Sequence, residues 1–347
     1  MAKERNISLD IIRIVAVLAV IMIHVSTLFV GAEDATAQEF FWGNIFNSIS
    51  RFGAPLFLMV SGALMLDEKR VIRIKTLISK NIKNIVFLLL FWSVFYGCIY
   101  AIAIPILEGT PLNYKDIINA ILLGHYHMWF LHMIIGIYFI TPFLREFVKK
   151  ENKQLLNLFF AVAVITQFSQ PIVKGLSLIV EDASILLTFI EQFHFDFFGT
   201  YVTYYILGWY LTNIDIKKKG LLYCCGIISL LLTIVYVQIT KDSSLAYVNS
   251  NVFILLYSAA VFLALNSFGT QYVPGIKIKK IIEVSSKLSF GVYITHVVVL
   301  SVFNKVFQFI QNPVLFILIC FCSITCVSFA GCFLASKIPF VKKLIRA

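Results

Sequence analysis

The chain has 347 residues, of which 60% are hydrophobic and only 14% charged, with a formal net charge of +11. Its apolar residues come in runs of about twenty, which excludes a soluble globular protein and points to one that threads a bilayer several times. Period-2 alternation is absent and buried amides need internal partners, so the spans read as helices rather than barrel strands; topology and anionic headgroups account for the excess charge, so no nucleic acid partner is expected.

About ten spans are predicted, making the chain an all-α, polytopic integral membrane helix bundle. The first, 8–30, holds "LDIIRIVAVLAVIMIHVSTLFV" and so carries Arg13 and His24 inside an apolar run. It is too long for a cleaved signal peptide and lacks a small-residue cleavage site. The second, 43–66, follows the acidic "GAEDATAQE" and contains "ISRFGAPLFLMVSGALML". The third is 80–104 and the fourth, 127–146, opens on "HMWFL"; the fifth is 154–172 and the sixth, 195–213, contains "YYILGWYL". Then come 219–239, 247–268, 286–310 with "LSFGVYITH", and 313–336. Lys3, Arg5, Lys69, Arg70, Arg73, Lys75, "REFVKKENK", "DIKKKG", "IKIKK" and "KKLIRA" fall on one side of this arrangement, against Lys115, Lys174 and Lys241 on the other. The positive-inside rule therefore predicts that both termini are cytoplasmic. The seven cysteines all lie within predicted spans and are expected as small packing residues. Residues 1–347 read as a single integral membrane domain with no fused soluble domain.

Arg13 and His24 are the residues that need explaining. Eleven helical steps of about 100° place both on one face, about 16 Å apart along the axis. Asp10 lies one turn before Arg13 and is expected to pair with it, while His24 sits about 24 Å from the cytoplasmic entry. Burying an ionisable group at depth costs roughly 2.5–3.5 kcal/mol, so two on one face argue for a functional cleft rather than for lipid contact. Arg51 enters the second span from its outer end, where it either snorkels to lipid phosphate or contacts a substrate. His296 is expected near mid-membrane. His125, His127 and His132 lack the four-residue spacing that puts two ligands on one helical face, and no HExxH occurs, so no metal is expected. Glu191, His194 and Asp196, at the outer entrance of the sixth span, are either acceptor contacts or a solvated helix end.

These residues resemble the membrane acyltransferases called acyltransferase family 3, whose first span carries Arg, ten residues, then His. Arg51, Phe52, Pro55, Leu56, Phe57, Ser61 and Gly62 resemble the family's second-span pattern; His127 to Leu131 and "YYILGWYL" supply further matches. Ser289, Tyr293 and His296 are similar to its Ser-x-x-x-Tyr-x-x-His. Members often begin the third span with an Arg-rich stretch, whereas this chain has "SKNIKN" with Lys80 and Lys83.

The resemblance implies transfer of an acyl group, most often acetyl from cytosolic acetyl-CoA as co-substrate, to a hydroxyl of an extracytoplasmic glycan or lipid-linked saccharide. The richness in Ile, Phe, Asn and Lys points to an AT-rich bacterial genome, so the expected place is the plasma (inner) membrane of a bacterium. On that reading His24 is the general base, Arg13 with Asp10 serves the donor, and Arg51, Ser61 or Trp129 contacts the donor or the oxyanion. His127, Tyr293 and His296 are candidates for substrate binding. Two readings compete with it: a transporter or exporter of an amino acid or exopolysaccharide built on the same bundle, and a structural or sensory membrane protein.

Overall fold

The structure is a computed structural model that describes residues 5–177 and 201–346, together with Ile185, Phe189 and Gln192. Helices and their turns make up its regular structure, with no strand among the described residues, as the apolar runs predict. Helix α1 (Ile7–Val30) starts where the Asn6 side chain accepts a hydrogen bond from the Leu9 amide, satisfying one of its free N–H groups. The predicted second span is two helices. α2 (Ala37–Ser50) opens on a capping box formed by Thr36 and Glu39, and α3 (Gly53–Met65) follows after a break at Arg51 and Phe52. Pro55 explains the break, because it has no N–H to donate to the Arg51 carbonyl four residues earlier.

Helix α4 (Ile74–Leu107) is one long span with wide π turns at Leu77–Ile82 and Cys98–Ala103. A short helix, α5 (Tyr114–Leu123), folds back on α4 in a stretch where no span was predicted; at ten residues it is too short to cross a membrane. Next come α6 (Trp129–Phe147), α7 (Lys153–Ser177) and α8 (Tyr201–Asn213). They are followed by α9 (Lys219–Thr240), α10 (Val252–Gln271), α11 (Ile276–Val306), α12 (Pro313–Ala335) and the terminal α13 (Pro339–Leu344). Among the described residues, eight helical segments, one of them α2 with α3 and another α5 with α6, are long and apolar enough to cross a membrane. The other two predicted spans correspond to α7 and α8. Residues 195–200 of the sixth prediction, with Glu191, His194 and Asp196, lie outside the described residues. Helix α11 begins ten residues before its predicted span because "IKIKKIIEVS" is too charged for hydrocarbon yet continues the helix toward the aqueous side.

Helix α1 is central: it packs on α2, α3, α10, α11 and α12. Helices α3 and α8 approach each other closely. A Cβ added to Gly62 would sit 1.7 Å from the Tyr205 carbonyl oxygen, and one on Gly208 would sit 1.9 Å from that of Met59, so each helix uses its glycine to admit the other's backbone. Outward-facing positions such as Leu90, Ile228 and Leu231 are more than half exposed, which suits a surface solvated by lipid. Cys320 and Cys332 are buried as packing residues, but Cys98, Cys224, Cys322 and Cys326 face outward, so their expected packing role fails; all seven thiols are free.

Contacts gather the basic loops at one end. Ser8 Oγ donates to Asn266 Oδ1 at 2.6 Å, and Arg5 Nη2 donates to the Glu283 carbonyl at 3.2 Å. Arg145 Nη1 donates to the Met65 carbonyl at 2.6 Å and its Nη2 to that of Arg70 at 2.8 Å, which satisfies the C-terminus of α3 and fixes the following loop. Trp92 Nε1 donates to the Leu344 carbonyl at 2.9 Å and so ties α13 to α4 at that same end.

Candidate active site

A cavity of about 1550 Å³ opens at the basic end between α1, α3, α4, α6 and α11. Among the described residues, eight cationic side chains line it, Arg5, Arg13, Lys69, Arg70, Lys80, Lys83, Lys287 and Arg346, against one carboxylate, that of Asp10. Several of them, Lys69, Arg70 and Arg346 included, come from loop or terminal segments whose sequence signal was only charge. The π turn at Leu77–Ile82 carries Lys80 and neighbours in the "SKNIKN" stretch to the wall, and the Trp92 tether carries Arg346 there. Low-dielectric walls around one sign of charge focus the field on an anionic ligand.

Asp10 is 3% exposed and makes more contacts than its expected partner alone. Arg5 Nη2 donates to its Oδ1 at 2.9 Å while Arg5 Nε donates to Oδ2, and Ser286 Oγ donates to Oδ1 at 2.6 Å. Arg13 Nη1 stands 3.8 Å from the same carboxylate, beyond hydrogen-bond reach. The predicted Asp10–Arg13 pair is therefore the weaker of the two, and Arg13 keeps its guanidinium for the cavity. The Asp10 hydrogen bonds raise the Arg5 pKa and hold it charged. Spacing along a helix does not reveal Arg5, which precedes α1.

Ser61 lines the cavity beside Tyr138, one turn from Phe57. At its deep end the cavity reaches Phe57, Phe130 and Tyr293. Beyond Tyr293 the structure brings together histidines from three distant parts of the sequence. Ring centroids are 5.0 Å apart for His24 and His296, 6.4 Å for His24 and His127, and 5.6 Å for His127 and His296.

The hydrogen bonds specify how these rings are held. His296 is fully buried; its Nδ1 lies 2.6 Å from the Tyr293 carbonyl and must donate to it, which leaves Nε2 as an acceptor with no partner among the described residues. His127 Nε2 donates to the Ile294 carbonyl at 3.3 Å, so its Nδ1 accepts from His125 Nδ1 at 3.0 Å. Tyr293 Oη donates to the His127 carbonyl, and Tyr96 Oη donates to that of Ile294 at 2.6 Å. His24 is half-buried, with its ring against Tyr126 at 5.4 Å. Tyr96 and Tyr126 were missed by sequence reasoning, which weighed His125 only as a metal ligand; the 3₁₀ turn at Tyr126–Met128 sets His125 and His127 together, and only a folded chain shows it. Among the described residues no group of three His, Cys, Asp or Glu side chains is arranged to hold a metal ion.

Arg51 sits at the break between α2 and α3. Its Nε donates to Asn47 Oδ1 at 2.7 Å, its Nη1 reaches the Tyr247 carbonyl at 3.4 Å, and its guanidinium lies 3.9 Å above the Tyr247 ring. A protein network holds it, which replaces the snorkelling alternative. Trp129 packs on Phe130 and Tyr201 in a narrow cleft between α3, α6 and α8 and makes no ring contact with His24, His125, His127 or His296. Its indole is therefore placed apart from the imidazoles.

The arrangement joins a cationic, partly apolar cavity to a set of buried and half-buried imidazoles, one of which has a nitrogen without a partner among the described residues. Such a pairing can hold an anionic group-transfer donor and take a proton from a nucleophile. Searches of curated proteins and of solved structures returned no match. The family profile described as an acyltransferase domain matches residues 6–333, a stretch that runs from the N-cap of α1 into the last turns of α12 and includes Asp10, Arg13, His24, Arg51, Ser61, His127, Trp129, Tyr293 and His296, while Arg5 and Arg346 fall just outside it. The chain therefore belongs to acyltransferase family 3, a family of multi-pass membrane proteins.

Proposed function

We propose that this membrane acyltransferase moves an acyl group, acetyl foremost, from cytosolic acyl-CoA to a hydroxyl of an extracytoplasmic or lipid-linked glycan. The observation that carries the reading is the cavity: eight cationic side chains at one end, and an inner end that stops one ring short of the histidines. Its volume exceeds the several hundred cubic ångströms usual for small-ligand sites, which suits a nucleotide-phosphate donor. The 3′,5′-ADP and pyrophosphate of coenzyme A would lie among Arg13, Arg70, Lys80, Lys287 and Arg346, and the pantetheine arm along the apolar wall.

His24 then acts as general base. The acceptor oxygen attacks the thioester carbonyl; the C–O bond forms and the C–S bond breaks. The hydroxyl proton passes to the imidazole and from there to the leaving coenzyme A thiolate. Arg51, already oriented by Asn47 and Tyr247, supplies positive charge to the acceptor side or to the oxyanion. On this reading the basic mouth faces the cytoplasm from a bacterial plasma membrane, with both termini on that side, an orientation that the positive-inside pattern supports.

Calorimetric titration of acetyl-CoA into the purified protein tests the donor assignment. Micromolar to millimolar binding that weakens about tenfold or more in Arg13→Ala and falls with added salt is expected. A protein that takes up no coenzyme A at low salt refutes it.

A further inference from the structure

We infer that Phe57 and Phe130, closing against Tyr293, are the specificity-determining residues for acyl length, and that they restrict this enzyme to short acyl groups. The inference rests on the donor reading above.

Phe57 and Phe130 come from different helices, α3 and α6, and Tyr293 from α11. Their ring centroids make a closed triangle: 6.1 Å between the phenylalanines, 6.2 Å from Phe57 to Tyr293 and 5.9 Å from Phe130 to Tyr293. All three line the inner end of the cavity, and none of His24, His125, His127 or His296 does. His127 and His296 lie behind Tyr293, at centroid distances of 5.9 and 6.2 Å. A thioester carried inward from the cationic mouth therefore meets this triangle before it meets an imidazole.

The three rings are not equally free. Tyr293 is 6% exposed and its hydroxyl is bound to the His127 carbonyl, so it forms the fixed wall. Phe57 and Phe130 are half-buried, have no polar anchor, and present ring surface to the cavity. A two-carbon acyl group can reach past them by small ring rotations. Each further methylene has to displace aromatic surface from a packed apolar wall, and pockets of this kind discriminate by about tenfold or more for one misfitting methylene. Ser61 and the charged groups are one turn or more toward the mouth and exert no such selection.

The test is the affinity of wild type, Phe57→Ala and Phe130→Ala for coenzyme A, acetyl-CoA, butyryl-CoA and hexanoyl-CoA. Each acyl-CoA is expressed as a ratio to coenzyme A on the same protein, which cancels any general loss of donor affinity. In wild type the hexanoyl ratio is expected to be at least about tenfold worse than the acetyl ratio, and either alanine variant should reduce that gap by about tenfold. Where an alanine variant does not fold, the leucine variants at the same positions are read, with a partial shift in the same direction expected. A flat chain-length profile in wild type, or a profile that the substitutions leave unchanged, overturns the inference while the donor reading stands. A wild-type protein that does not bind coenzyme A at all removes both.

Discussion

Gly62→Ala provides a sharp test of how the bundle is built. The new methyl carbon would lie 1.7 Å from the Tyr205 carbonyl oxygen and 2.6 Å from its carbonyl carbon, both backbone atoms within a helix. No side-chain rotation relieves that overlap, so α3 and α8 must separate by more than about 1 Å over a contact packed at interior density. Overpacking of this kind costs typically about 1–3 kcal/mol, and a rigid backbone target puts Gly62→Ala at the upper end of that range or beyond. Gly136, in the middle of α6, is the control: an added Cβ there meets nothing within 4 Å, and alanine should gain about 0.5–1 kcal/mol from helix propensity. Thermal unfolding of detergent-solubilised protein, followed by size exclusion, should show a lowered midpoint for Gly62→Ala and an unchanged or raised one for Gly136→Ala. Equal midpoints for the two variants would refute the close α3–α8 contact.

Other consequences concern the site. Asp10→Asn removes the buried carboxylate that holds Arg5 and Ser286, and should lower stability by about 1.5–3 kcal/mol in the same unfolding assay, while Ser286→Ala should lower it less. Arg145→Ala leaves three loop and helix carbonyls without their donor and should weaken acetyl-CoA binding in calorimetry by freeing Lys69 and Arg70 from their positions. Trp92→Phe keeps the packing but deletes the tether to Leu344; the same titration should show a loss of less than about tenfold, since Arg346 is only one of eight cations in the cavity.

Much of this was legible in the chain itself, for reasons that differ from element to element. Hydropathy located α1, α9 and α12 closely, because a lipid-crossing helix must carry its apolar residues in one uninterrupted run. It missed α5, whose ten residues are amphipathic, and it began α11 late because hydropathy reports hydrocarbon rather than helix. Helical periodicity put Arg13 and His24 on one face; α6 and α11 line the cavity with Arg13, while α11 and the 3₁₀ turn before α6 bring His296 and His127 to His24. The same rule favoured Arg13 over Arg5 as the partner of Asp10, since Arg5 approaches from the non-helical segment before α1. Spacing also kept His127 and His296 in separate spans. Their meeting with His24 depends on the α1–α11 packing and on a single 3₁₀ turn, neither of which leaves a periodic signal.

The central claim is that His24 takes the acceptor's proton during acyl transfer. Purified wild type and His24→Ala should be supplied with acetyl-CoA labelled on the acetyl group and with a bacterial envelope extract, following donor binding, coenzyme A release and label in the extract. The account predicts that wild type labels the extract and that His24→Ala binds acetyl-CoA as before but transfers nothing above background. Transfer by His24→Ala at the wild-type rate would contradict it.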